Sequence, residues 1–262
     1  MEHEFGTPWL TIGCGGTKYM QAEAEEVLAG FAYGTVGLTW TPPKAVAGDV
    51  GLARLPRATG RSNWSYRAYD CLPNSAYAFE VGDLLAPAAL DARVGSAEFL
   101  AMEAIIPDLN QVLAHINIGM TFWALNPTWL VAVPPAGTEE WWLWRAWALL
   151  RGLSGVGPTI THKVLHHKRP WLFPIVDTET VERLRKCGGE WQTLHSELTN
   201  HVDEFKQLEK WFAGQAIERG GVPLTRLRIH DIFLWADVTG QRKALIAAGQ
   251  KVLGRDGVPR LG

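Results

Sequence analysis

The sequence predicts a mainly α-helical protein. Apolar residues recur at helical spacing in run after run from residue 83 onward, and several runs are bounded by residues that start or stop helices. At 262 residues, with 47% hydrophobic and 20% charged content, the chain has enough apolar mass for a packed core, as one domain or two interlocked subdomains. This composition excludes a disordered or fibrous chain.

The elements follow in order. Residues 20–33 alternate acidic and small apolar positions at helical spacing and predict a first helix. Residues 34–69 are rich in Gly, Pro, Ser and Arg and predict a loop-rich N-terminal region with short extended pieces. Its Arg54, Arg57, Arg61 and Arg67, interleaved with Trp64, Tyr66 and Tyr69, suit either a strand-tracking surface or a solvated loop with aromatics folded beneath it. Asp83 predicts an N-cap for a helix opening Leu84-Leu85-Ala86, and Pro107 predicts another over 108–116. Glu139 and Glu140 favour the positive end of a helix dipole, and Gly152 ends that helix. Four of the 13 tryptophans fall within it, and Trp144 and Trp147, three apart, share a face that reads as bundle core. After TVERLRK, Gly188-Gly189 marks a break. A long amphipathic run over 191–220 and two more helices, within 224–236 and 242–253, complete the chain. No internal repeat or low-complexity tract occurs.

A net charge of −2 and pI near 6.5 argue against coating nucleic acid through bulk charge, so any such affinity needs a local patch. Residues 141–186 supply one: Arg145, Arg151, Lys163, Lys168, Arg169, Arg183, Arg185 and Lys186 face only Asp177, Glu179 and Glu182. Cys14, Cys71 and Cys187 are scattered and offer neither a zinc knuckle nor an iron–sulfur loop, which suits a reducing compartment. MEHEFGTPWL lacks the apolar core of a secretory signal, and no run of about twenty apolar residues could span a membrane. The expectation is a cytoplasmic protein with no membrane partner.

The most informative segment is 153–181, LSGVGPTITHKVLHHKRPWLFPIVDTETV. Gly155 and Gly157 are expected to turn the chain with φ > 0, and Pro158 suits the first turn of the helix that follows. Unpaired N–H groups of such a turn and helix start form a positive rim for a phosphate oxygen. The same glycines could serve only as a helix–helix turn. Lys163, His166, His167, Lys168 and Arg169 follow the turn, and Val176-Asp177-Thr178 lies beyond.

On these residues the segment resembles the helix-hairpin-helix DNA glycosylases, the superfamily of endonuclease III and the adenine glycosylases. There a Leu-x-Gly-Val-Gly hairpin precedes a helix, and a Val-Asp-Thr-like segment supplies the catalytic aspartate. The Lys-Arg-Pro-x-Leu-x-Pro-Ile-x-Asp run also looks like a little-characterised, largely actinobacterial branch with the same core. The resemblance implies two helical subdomains with a cleft between them: residues 1–82 packing with 177–262, and a central 83–176 ending in the hairpin. It implies Asp177 as the catalytic residue, with Gly155, Val156, Gly157, Thr159, Lys163, His166, Lys168 and Arg169 as DNA-binding residues. The implied partner is double-stranded DNA containing a damaged or modified base, handled by a monomer without cofactor or metal.

Family members that also cut the strand place a lysine nucleophile two residues after the second glycine, where this chain has Thr159. The implied activity is therefore monofunctional: hydrolysis of the base–sugar bond to leave an abasic site. A phage-type glucosylated hydroxymethyl cytosine is one candidate base. Alternatives are a non-catalytic helix-hairpin-helix DNA-binding protein, or a glycosylase/lyase using Lys163, which lies one helical turn further along. Asp177 could also cap the helix after it. His162 and His166 have metal-compatible spacing without evident further ligands, and His230-Asp231 reads as a structural pair. No triphosphate loop, Gly-x-Ser-x-Gly elbow or dinucleotide fingerprint is present.

Overall fold

Residues 8–34 and 65–256 are described in a computed structural model, and helices dominate them. The exception is an antiparallel hairpin that sequence periodicity did not announce, β1 (Leu10–Ile12) paired with β2 (Thr17–Tyr19). Gly13, Cys14 and Gly15 turn it with φ of 64°, 68° and 71°. The first helix, α1 (Gln21–Tyr33), follows as expected. It lies against the last, α10 (Arg242–Val252), at a separation only glycine allows. A Cβ on Gly30 would stand 2.0 Å from Leu245 O, and one on Gly249 would stand 1.8 Å from Glu26 O.

Arg54, Arg57, Arg61 and Trp64 lie outside the described residues. Tyr66 and Tyr69 are buried, and their hydroxyls donate to Val222 O and Lys163 O, so neither ring is available for stacking on a nucleic-acid base. Arg67 donates to Gly220 O. Asp83 sits inside a 3-10 helix, Val81–Leu90, and accepts from Glu80 N at 2.7 Å. It belongs to the first turn instead of capping it.

Next come α2 (Ser96–Ala104) and α3 (Ile106–Leu113), the latter with Pro107 in its first turn. The tryptophan-rich helix, α4 (Glu139–Arg151), is capped by Thr138, whose Oγ1 accepts from Trp141 N, and it ends at Gly152. Helix α5 (Pro158–Lys168) is buried continuously from Ile160 to Lys168 and packs against Val81–Leu90 and α4. After the short α6 (Val181–Arg185), His201 divides the long amphipathic run into α7 (Glu190–Asn200) and α8 (Val202–Arg219). Helix α9 (Arg226–Val238), capped by Thr225, packs on α8 and touches β1. A single apolar cluster reaches from Leu10 and Val27 through Leu165 and Phe173 to Phe233 and Leu245.

Cys14 and Cys187 form a disulfide, against the expectation that the three scattered cysteines lack a disulfide framework and suit a reducing compartment; Cys71 is free. The pair, 173 residues apart, clamps the β-hairpin turn to the end of α6. Beside it, Glu197 accepts from Gly13 N, Cys14 N and His230 Nε2 at 3.1, 2.7 and 2.6 Å. Among the described residues, no helix is long and apolar enough to cross a membrane.

Candidate functional site

The turn between α4 and α5 is formed as a tight hairpin. Arg151 Nη1 donates to Val156 O across it, and Val156 itself is buried as the hydrophobic peg of the turn. Gly155 has φ +80°, in the region glycine favours. Gly157 does not: its φ of −75° and ψ of 172° are extended, as an N-cap requires, so the expected second left-handed glycine is corrected. Gly155 and Pro158 are exposed, and Gly157 and Thr159 are half-buried. Helix α5 therefore begins at the surface.

It does not stay there. Lys163, His166, Lys168 and Arg169, expected to meet DNA, are all buried, with exposures of 5%, 1%, 0% and 2%. Lys168 Nζ pairs with Asp83 Oδ2 at 2.6 Å and donates to Ser75 O and Ala78 O. His166 contacts Phe173 O through Nδ1 at 2.6 Å, and burial lowers its pKa to about 3. Arg169 has Nε and Nη1 without hydrogen-bond partners among the described residues. The charged groups of α5 therefore lie in the interior, where burial calls for internal partners. Of the basic patch, Arg145, Arg185 and Lys186 are exposed.

Asp177 follows Pro174-Ile175-Val176, a buried stretch without regular secondary structure that leads from the core towards the surface. Its two oxygens have different surroundings. Oδ1 accepts from Glu179 N, Thr180 N and Thr180 Oγ1, each at 3.1 Å, so the aspartate organises the turn ahead of α6. Oδ2 faces Lys163 Nζ at 3.6 Å, and the aspartate side chain is 15% exposed. One carboxylate oxygen is thus taken up by the turn and the other faces Lys163.

Two cavities share Asp177 as a wall. The larger, about 480 Å³, is a cleft lined by Trp144, Trp147, Arg151, Pro158, Thr159 and His162 and by residues between Val176 and Gln192, including Trp191 and Glu190. Trp144 and Trp147 are half-buried cleft residues, not closed bundle core. The Trp144 ring lies 5.9 Å from Trp147 and 5.4 Å from Trp191. Aromatic walls with a few polar groups are the usual composition of a small-molecule pocket. The smaller cavity, about 80 Å³, is a chamber of mixed lining that also borders Asp177, with Lys163, Asp91, Arg228 and Asp231 among apolar Phe31, Leu90, Ile175 and Trp235.

Electrostatics separates the two spaces. In the cleft, His162 contacts Pro174 O through Nδ1 at 2.9 Å. A carbonyl only accepts, so Nδ1 carries the proton, and burial lowers the imidazole pKa to about 4. His162 thus meets the cleft as a neutral ring. In the chamber, burial pushes the Lys163 ammonium pKa down, while the Asp177 carboxylate pulls it back up. Arg228 is held by Asp70 at 2.8 Å and by Asp231, and burial pushes Asp231 up to about 6. His162 and His166 do not converge on a metal: each holds a carbonyl, and no group of three or more His, Cys, Asp or Glu side chains suited to a metal occurs among the described residues. His230 binds Glu197 and Asp231 binds Arg228, so that adjacent pair is not an acid–base couple.

Trp191, Arg228 and Asp231 escaped sequence reasoning as site residues. They come from α7 and α9, far along the chain from the hairpin, and no local motif marks them.

The model of a family of unknown function, DUF6308, matches residues 52–238. The chain belongs to this family. No curated protein and no solved structure matches it. The DUF6308 match spans the hairpin, Asp177, both cavities' lining residues from 65 onward and all of α9.

Proposed function

We propose that this protein is a monofunctional DNA glycosylase of helix-hairpin-helix architecture, which hydrolyses the bond between deoxyribose and a damaged or modified base. The observation that carries this reading is the place of Asp177: a partly exposed carboxylate that lines an aromatic cleft together with Pro158 and Thr159, the first residues after the glycine hairpin. The start of the helix that follows the turn and an acid thus border one pocket.

The chemistry follows from those groups. The hairpin and the exposed start of α5 offer N–H groups to a phosphate, and a base turned out of the duplex enters the cleft against the tryptophan rings. As the C1′–N bond breaks, its electron pair leaves with the base, which takes up a proton, and the sugar gains oxocarbenium character. The Asp177 carboxylate stabilises that positive charge and accepts a proton from the water that adds to C1′. Thr159 offers no amine for a Schiff base, and Lys163 faces the chamber and is not among the cleft's lining residues. The observed positions therefore favour hydrolysis over strand cleavage. The cleft volume suits a base carrying a substituent, and a glucosylated hydroxymethyl cytosine belongs in the test panel beside alkylated purines.

The test is mass spectrometry of bases released from such a panel, followed by alkali treatment of the DNA. Base release with alkali-dependent breaks is expected. Immediate breaks with borohydride-trappable adducts would establish the lyase instead, and DNA binding without release from any substrate would leave a binding protein.

A further inference from the structure

Lys163 is one of the least expected residues in the core. A buried ammonium is costly unless neighbours replace water, and a well-packed apolar side chain is often at least as stable in its place. Its Nζ donates to Leu90 O at 2.7 Å, the end of the Val81–Leu90 helix, and faces Asp177 Oδ2 at 3.6 Å. The other charged groups around the chamber are Asp91, Arg228 and Asp231, with Asp70 behind Arg228. Arg228 is committed to Asp70 and Asp231. Among the described residues, Lys163 is therefore the cation that meets Asp177.

The hydrogen bonds to Oδ1 fix one corner of the Asp177 carboxylate, but the Cβ–Cγ axis can still swing unless Oδ2 is also held. We propose that Lys163 is a positioning residue for Asp177: anchored to Leu90 O, its ammonium fixes Oδ2 in the wall between the smaller chamber and the aromatic cleft. This rests on the reading of Asp177 as the carboxylate that serves the cleft. It assigns Lys163 a role distinct from both phosphate contact and nucleophilic attack, since it is buried and borders the chamber alone. The chamber has room for water, which lets the ammonium keep part of its hydration while it holds the carboxylate. Positioning of this kind is where small displacements change rates by large factors.

The experiment has two arms. In the first, Lys163→Met is compared with wild type in single-turnover base release and in affinity for the same DNA. Release should fall at least about tenfold with affinity unchanged, because the charge lost is one that no phosphate touches. In the second, the nitrogen signal of Lys163 Nζ is titrated in the unliganded protein, in wild type and Asp177→Asn. Removing the carboxylate should lower the lysine midpoint by about one to three pH units, the range for an opposite charge at this separation.

A Lys163 midpoint unmoved by Asp177→Asn overturns the proposal, and so does a folded Lys163→Met protein that releases base at the wild-type rate. The second arm needs neither a substrate nor a stable Lys163 variant. Its outcome therefore stays separate from the glycosylase reading, which falls if Asp177→Asn leaves base release intact.

Discussion

Lys168 and Asp83 form a fully buried ion pair, Nζ to Oδ2 at 2.6 Å, with His167 Nε2 3.3 Å from the other carboxylate oxygen. The lysine belongs to α5 and the aspartate to the Val81–Leu90 helix, so the pair locks the hairpin-bearing helix to the preceding layer. Asp83→Ala leaves a buried ammonium with only the carbonyls of Ser75 and Ala78. We expect a loss of about 3–5 kcal/mol in chemical denaturation, the range for breaking a buried pair from one side. Burial alone would raise the Asp83 pKa, but the hydrogen bonds from His167 and Lys168 bring it below the ordinary carboxylate value. Its contribution is therefore complete above the unfolded-state pKa and is lost as pH falls through the lower folded one. The destabilisation by Asp83→Ala should shrink in acid and be constant at neutral pH.

Asp177→Asn keeps an oxygen for the three hydrogen bonds at Oδ1 while removing the charge. The turn should keep its geometry, because Asn replaces Asp well in this local role, while loss of the charge facing the buried Lys163 should lower stability by about 1–4 kcal/mol. Single-turnover base release should fall at least about a hundredfold, the scale for one dominant electrostatic group. Near-wild-type release by the folded variant would reduce Asp177 to a structural turn residue.

The two glycines of the hairpin should separate folding from binding. Gly155→Ala places a side chain at φ +80°, with its Cβ 2.3 Å from Glu98 Oε1, and should destabilise by roughly 1–2 kcal/mol. A Cβ at Gly157 meets nothing within 4 Å, and the φ there suits any residue. Gly157→Leu should therefore leave the melting temperature nearly unchanged yet weaken binding to duplex DNA of every sequence. Equal affinities and salt slopes for this variant and wild type would remove the hairpin from the interface.

Cys14→Ser opens a loop of 173 residues and should lower stability by about 2–4 kcal/mol. Alkylation of the native, unreduced protein followed by mass spectrometry should modify Cys71 alone. Labelling of Cys14 or Cys187 would contradict the bridge.

Much of the fold was legible because its signals are local. Glu139, Glu140 and Gly152 bracket α4 within a few residues of where the helix begins and ends, and Pro158 opens α5. The position of Asp177 relative to the hairpin was equally local, and Asp177 lines one cleft with Pro158 and Thr159, the residues just after the hairpin. The interior of α5 was not legible. Lys163, Lys168 and Arg169 look like a solvated basic face until Asp83 and Leu90, from a distant segment, are seen to receive the two lysines. The bridge between Cys14 and Cys187 and the arrival of Trp191 in the cleft likewise depend on chain return, which neither spacing nor composition encodes.

A helix buried from Ile160 to Lys168 and tied at both lysines has little freedom to fray into solvent. Its amide protons should exchange only through the largest openings of the molecule, alongside those of the central core. The hairpin thus projects from the part of the protein that opens least. A ligand seated there would meet a turn already in its binding shape, and little of the association energy would be spent on ordering it.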